Sequence, residues 1–310
     1  MIDSKQTCVQ TTQPQPITGE HLSHLPLAEE QWTEVIQSRS NLLDLGLREV
    51  WRYRDLVLLF VRRDFVSTYK QTILGPIWFF IQPLLTAITF MIVFDGIANL
   101  GTGGVPSLAF YLAGVTIWNY FAQSLTATAT VFTTNAAIFG KVYFPRLTMP
   151  LSIVLSNLVR FAIQLSLFLV VWLYFLLTTD TIHPNGYLLL VPVLVVLMGL
   201  LALGLGMIFS ALTTKYRDLA MLLTFGVQLL MYATPVVYEL AKLDSLPSSF
   251  RWVILANPLN AIVETFRLGF LGTGQFSWAY LGYSAGVTLV LLLIGTVVFN
   301  KVQKSFTDTV

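Results

Sequence analysis

Apolar residues along this chain collect into long blocks rather than recurring at every third or fourth position. A lipid hydrocarbon core about 30 Å thick requires about 20 predominantly apolar residues per crossing helix. Six blocks meet that requirement, at 77–98, 108–131, 149–177, 188–212, 219–238 and 281–299. The third is long enough to tilt or to project beyond the membrane. A seventh stretch, 250–271, is apolar but interrupted by Arg251, Asn257-Pro258, Asn260, Glu264 and Arg267, so it cannot cross as one lipid-facing helix. Its two apolar pieces, 250–255 and 259–271, are too short to span. They read as a re-entrant helical hairpin, with a surface amphipathic cap as the alternative. Glu264 and Arg267 stand three apart, a spacing at which they pair on a helix.

Ahead of the first block, 47–71 mixes Arg48, Arg52, Arg54, Arg62, Arg63 and Lys70 with Val50, Trp51, Leu56, Leu59, Phe60 and Phe65. Basic and apolar residues interleaved in this way predict a helix lying in the membrane surface; a solvated juxtamembrane helix is the plainer reading. Gly75-Pro76 then breaks the helix, letting the chain turn from in-plane to spanning. The expected fold is therefore an all-α polytopic membrane protein. It has six transmembrane helices, an N-terminal amphipathic interfacial helix over 46–76 and a re-entrant helical hairpin between helices five and six. Residues 1–45 contain no apolar core of the kind a secretory signal needs, and are expected to form a flexible cytoplasmic tail. The six-span helical domain is expected over 77–300, with a cytoplasmic tail over 301–310.

Composition agrees with the blocks: 55% of residues are hydrophobic and only 11% charged, against about a quarter charged in soluble domains. That excludes disorder and a basic nucleic-acid-binding domain. A lone cysteine, Cys8, excludes an intrachain disulfide scaffold. The net charge of +2 says little, but the placement of Lys and Arg does. With the amino terminus inside, Arg62, Arg63, Lys70, Lys141, Arg146, Lys215, Arg217, Lys301 and Lys304 flank spans on the cytoplasmic side. Lys242, Arg251 and Arg267 lie on the other side. Nine against three supports six crossings with both termini cytoplasmic.

Two cytoplasmic loops stand out. In 133–148, Ile138, Val142 and Tyr143 share one side of a short helix, and Lys141 and Arg146 can reach lipid headgroups. Phe139, Tyr143 and Phe144 are available as knobs for a groove on a soluble partner; a purely topogenic hairpin is the alternative. The loop Lys215-Tyr216-Arg217-Asp218 is too short to fold alone, and Asp218 is placed to cap the next helix.

Chemistry of other kinds is missing. Gly140-Lys141 is followed by Val142 with no glycine at the phosphate-loop offset, and Gly204-Leu205-Gly206 has Phe209 in place of a third glycine, which leaves helix packing. His21, His24 and His183 are scattered, so no metal-ligand spacing or catalytic constellation emerges. The chain is read as a non-enzyme without a cofactor of its own. Arg160 alone is ionisable deep in a span, on a polar stripe with Ser152, Ser156 and Gln164 that must face protein or water. It either binds backbone carbonyls or lines a conduit. Trp118, Tyr120 and Tyr232 combine flat apolar faces with polar handles, suited to sliding sugar rings if they line that conduit; membrane-belt anchoring is the default. Without intramembrane acids, ion coupling has no residues to work through.

Several motifs together resemble one family. They are Trp51-Arg52-Tyr53-Arg54-Asp55-Leu56, Arg63-Asp64-Phe65, Tyr69-Lys70-Gln71-Thr72-Ile73-Leu74-Gly75-Pro76-Ile77-Trp78 and Gln82-Pro83. Further along come Lys141-Val142-Tyr143-Phe144-Pro145-Arg146, Tyr216-Arg217-Asp218, Thr234-Pro235-Val236-Val237-Tyr238 and Asn257-Pro258-Leu259-Asn260 with Glu264 and Phe266-Arg267. The chain from about residue 45 onward resembles the permease subunits of polysaccharide-export ABC transporters, which move O-antigen, teichoic acid or capsule. The resemblance implies a homodimer in a bacterial inner membrane, bound to two copies of a separate subunit that holds ATP and Mg. Its implied cargo is a lipid-pyrophosphate-linked glycan. It also implies coupling contacts at Ile138, Phe139, Lys141, Val142, Tyr143, Phe144, Arg146 and at Lys215, Tyr216, Arg217, Asp218. Arg62, Arg63 and Lys70 become phosphate contacts at the entry, with bulk anionic lipid as the plainer partner. Asn257, Pro258, Glu264 and Arg267 become an outward gate. A drug or lipid exporter of the same superfamily, a membrane enzyme acting on lipid-linked sugars and a purely structural subunit are the competing readings.

Overall fold

A computed structural model describes residues 47–70, 73–139, 144–240 and 254–307. The expected tail over 1–45 and the first part of the proposed hairpin, 250–253, lie outside the described residues. All described secondary structure is helical, with no strand among the described residues.

The basic amphipathic segment folds as two helices, α1 (Leu47–Arg52) and α2 (Arg54–Tyr69), separated at Tyr53. Their inner face is narrow, with Val50, Val57 and Phe60 buried. Trp51, Leu58, Leu59 and Val66 stay exposed, an apolar surface that fits lipid better than water. Gly75 takes φ +52, a left-handed conformation that side chains disfavour, and Pro76 follows within a 3₁₀ turn over Gly75–Ile77. That turn redirects the chain into α3 (Trp78–Phe90), which continues as a π-helical stretch over Met91–Ile97.

The centre of the protein is α4 (Ser107–Ala129), buried on nearly all sides and in contact with α3 and most of the later helices. Two short helices follow, α5 (Val131–Thr134) and α6 (Ala136–Phe139). Next come α7 (Thr148–Thr178), a 3₁₀ turn over Gly186–Leu190, α8 (Val191–Lys215) and α9 (Asp218–Tyr232). The chain closes with α10 (Leu259–Leu271) and α11 (Trp278–Thr307). At 31 residues α7 is about 46 Å long, well beyond a bilayer core. The last helix runs on to Thr307, past the expected end of its span at 299.

Among the described residues, four helical runs are long and apolar enough to cross a membrane: Gly75–Ile97, Thr148–Thr178, Gly186–Lys215 and Trp278–Val302. The other two expected crossings also fold as helices. In α4 the apolar content is diluted by Thr116, Ser124 and Thr128, which are buried in the protein. Asp218–Tyr232 is apolar but only 15 residues long.

Glycines permit the closest helix contact. A methyl group on Gly204 of α8 would lie 2.8 Å from the Leu292 backbone nitrogen, and one on Gly295 of α11 would lie 2.5 Å from the Gly204 carbonyl oxygen. The two backbones therefore touch, the close approach that small residues allow between membrane helices. The glycine pair read from the sequence as packing is packing.

Candidate functional site

The residues singled out in the sequence gather at two opposite ends of the helix bundle, with the conduit candidates between them. At the first end, the C-terminal half of α2 lies on α7 beside α5. A polar recess of about 240 Å³ opens there, lined by Arg63, Asp64, Thr68, Asn135, Asn157 and Arg160 among others. Arg63 reaches Asp64 at 2.8 Å while its guanidinium lies 4.8 Å from the centre of the Phe60 ring. From α7, Arg160 donates to Thr68 Oγ1 at 2.9 Å and to Asn157 Oδ1 at 3.2 Å. The sequence left Arg160 between carbonyl pairing and conduit lining. The structure gives it side-chain partners, on α2 and on its own helix, at the wall of a recess. The rest of its stripe turns inward: Ser152, Ser156 and Gln164 are buried, and Asn119 donates to Gln164 Oε1 at 3.4 Å. Arg62 and Lys70 are exposed nearby, Lys70 closing the end of α2 through its backbone N–H to Val66 O at 2.9 Å.

The first loop expected to dock a partner is only partly exposed. Lys141, Val142 and Tyr143 lie outside the described residues. Phe144 is not offered as a knob but buried, 5.8 Å from the Phe60 ring and 5.6 Å from Phe139. Phe139 continues to Phe132 at 5.6 Å, and Phe132 stacks on Phe299 of α11 at 4.8 Å. Ile138 is half-buried, and the Arg146 guanidinium lies 5.7 Å from the Phe139 ring. A chain of rings thus joins α2, this loop and α11. Sequence spacing could not have found it, because its members lie more than 200 residues apart along the chain at the extremes. The second loop is fully exposed, from Lys215 through Tyr216 and Arg217 to Asp218, with the Lys215 ammonium 5.2 Å from the Tyr216 ring. Asp218 is not a cap. It is the first residue of α9, where its charge suits the helix N-terminus, and the capping position belongs to Arg217 without a side-chain bond.

Between the ends, Trp118 and Tyr120 are each only 4% exposed. Trp118 packs on Phe121 and Tyr120 on Phe161, so neither lines an open surface of the single chain. Tyr232 is 53% exposed on α9, whose buried residues are only Leu223 and Val227.

At the second end, α10 is embedded almost completely. Arg267, 1% exposed, donates from Nη1 to Glu264 Oε1 at 3.1 Å, the expected pair. Its Nη2 donates to the carbonyls of Pro235 at 2.6 Å and Val236 at 3.2 Å, and Nη1 reaches Tyr238 O at 3.4 Å. The guanidinium carbon lies over the Phe110 ring of α4, 3.8 Å from its centre. Asn257, just ahead of Pro258 and α10, donates to Thr234 Oγ1 at 2.8 Å. The turn 233–238 that follows α9 is therefore held to α10 by side chains at both ends of one short segment. The sequence singled out both sides of this contact but did not show that they meet.

The ABC-2 type transporter family pattern matches residues 55–271, from α2 to the end of α10. The chain is 28% identical over 256 residues to the O-antigen export system permease protein RfbA of Klebsiella pneumoniae, covering 82% of this chain and 94% of that protein. It is 26% identical over 266 residues to the protein of the same name from Myxococcus xanthus, covering 85% and 98%. To the polysialic acid transport protein KpsM of Escherichia coli it is 23% identical over 244 residues, covering 78% and 92%. The family match takes in the basic recess, the exposed loop at 215–218 and the Glu264–Arg267 staple alike, and on that extent this chain belongs to the ABC-2 type transporter family.

Proposed function

We propose that this chain is the membrane subunit of an ATP-driven exporter that moves a lipid-pyrophosphate-linked glycan, O-antigen-like in kind, across a bacterial inner membrane. The observation that carries the reading is the near end-to-end likeness to export permeases, whose own lengths are covered to 92–98%. The structure supports it with two features that a docked ATPase needs: an exposed loop at 215–218 and, at the same end, a loop tied into the bundle by stacked rings.

In this reading all six apolar helices cross, with both termini cytoplasmic. α4 is long enough at about 34 Å, and its polar side chains are sheltered by neighbours rather than lipid. α9 is about 22 Å and reaches further through the turn that follows it. α10 is the second arm of the re-entrant hairpin at the outer face. The exposed flank of α9, with Met221, Phe225 and Tyr232, faces a second copy across a conduit that neither copy closes alone. ATP and Mg are held by two copies of a separate subunit seated at 138–146 and 215–218.

The glycan's pyrophosphate enters at the basic end, where Arg63 and Arg160 line a recess, Arg62 is exposed on the same helix as Arg63 and Lys70 is exposed at that helix's end. Two tests apply. Co-purified with its ATPase, the complex should hydrolyse ATP faster with lipid-linked glycan than without; stimulation by small hydrophobic drugs in place of glycan contradicts the reading. Charge reversal by Arg62→Glu with Arg63→Glu should raise the glycan concentration for half-maximal stimulation about tenfold or more while leaving membrane insertion intact. An unchanged dependence removes these cations from substrate capture.

A further inference from the structure

The end of the bundle opposite α2 holds a second recess, between the N-terminal ends of α10 and α11, with Glu264 of the staple, but not Arg267, on its wall. Its volume is about 80 Å³, room for one sugar residue's edge or substituent rather than for a length of polymer. Asn260, Gln275, Phe276, Ser277, Tyr280 and Tyr283 stand on its walls.

The chemistry of those walls is specific. No Lys or Arg lines the recess among the described residues. Its one acid, Glu264, is committed to Arg267 at 3.1 Å and to the Gln275 backbone N–H at 3.3 Å. What remains is neutral and mixed, amides and hydroxyls beside aromatic faces. Asn260 is 5% exposed; its Nδ2 donates to Ile254 O, yet its Oδ1 accepts from no partner among the described residues. A buried acceptor left without a donor is destabilising, so this atom calls for a hydroxyl or N–H donor. Tyr283 donates to Ala256 O at 2.9 Å and Ser284 to Pro258 O, which fixes the α11 wall against the start of α10. Tyr280 is exposed beside them and supplies an aromatic ring to the wall. A pyranose supplies what these walls lack: hydroxyls that both donate and accept, and a C–H face that stacks on an aromatic ring.

We infer that this recess binds one neutral sugar residue of the glycan as it emerges, an exit subsite distinct from the basic entry. The inference rests on the export reading and on the orientation that puts α2 inside. Bound there, the glycan would lie against α10 within one helical turn of the Glu264–Arg267 staple. The subsite is thus placed to report the glycan's arrival to the segment that the staple holds.

The test uses the full-length permease with its ATPase in nanodiscs, which avoids sugar-based detergents. Saturation-transfer NMR is recorded with methyl glycosides of glucose, galactose, mannose and N-acetylglucosamine, with the organism's own delipidated repeat-unit oligosaccharide, and with glycerophosphate as the headgroup control. The account expects binding of at least one sugar probe, none of glycerophosphate, and a loss of tenfold or more in affinity in Gln275→Ala and Tyr280→Ala, both exposed positions. Asn260→Leu should abolish binding; where it perturbs folding, the two exposed variants decide. Sugar binding that is absent, or unchanged in both exposed variants, overturns the exit subsite even where lipid-linked glycan stimulates hydrolysis. Preference for glycerophosphate overturns it in favour of a lipid contact. Absence of any stimulation in the wild-type complex strikes the export reading instead.

Discussion

Arg267 shows how a single residue can tie two segments together in a place where charge is expensive. Its side chain makes four hydrogen bonds, three of them to the carbonyls of a turn more than 25 residues earlier. Only a planar fork of donors can meet Glu264 and that turn at once, so Arg267→Lys should fail to restore what Arg267→Leu removes. Arg267→Leu leaves the Glu264 carboxylate buried without its cation and should cost about 3–5 kcal/mol, read as a fall in unfolding temperature of the purified protein. Glu264→Gln combined with Arg267→Met removes both charges and should be less damaging than Arg267→Leu alone. A double variant worse than the single one would mean that the ion pair is not what holds the turn. The spacing of Glu264 and Arg267 made their pairing legible in the sequence. The turn carbonyls did not show there, since backbone acceptors leave no mark on composition.

At the scale of elements, two contacts decide how the helices stay together. Where α8 crosses α11, Gly204 and Gly295 bring backbone to backbone. Gly204→Val should force the helices apart and destabilise the protein by about 1–3 kcal/mol or more, with Gly226→Val, which meets open space, as the silent control. Equal stability of the two variants would contradict the crossing. The ring chain Phe60–Phe144–Phe139–Phe132–Phe299 joins the loop before α7 to α2 on one side and α11 on the other. A double-mutant cycle of Phe60→Ala and Phe144→Ala should give a coupling of about 0.5–1.5 kcal/mol. The Phe144→Ala complex should hydrolyse ATP with reduced stimulation by glycan, because the loop no longer moves with the entry helix. Full stimulation would show that the rings only fill space. Helix positions were readable from apolar runs alone, and the Gly75-Pro76 bend from turn chemistry. The expectation that Phe144 faces outward failed for a reason sequence cannot show: a loop aromatic is a knob or a core residue depending on what closes over it, and here Phe60 does.

For the whole molecule, the arrangement is polar at its ends and sealed in its middle. Basic groups and docking loops share one end, while the Arg267 staple and the neutral recess share the other. Trp118 and Tyr120, the rings expected along a conduit, are packed away. A single chain in this arrangement offers no through-path lined by them, and a path between two copies would run past exposed α9 residues such as Tyr232 instead. Counting crossings was the part composition blurred, since α4 trades apolar residues for buried Thr and Ser, and α9 is short. What drives transport is the central claim of the proposed function: energy drawn from a nucleotide-hydrolysing partner rather than from an ion gradient. The direct test is reconstitution of the permease with its ATPase in sealed vesicles, following a fluorescent lipid-linked glycan to the opposite side. The account predicts movement that requires ATP and the partner and persists when ionophores collapse every ion gradient. Uphill movement by the permease alone, powered by an ion gradient, would contradict it.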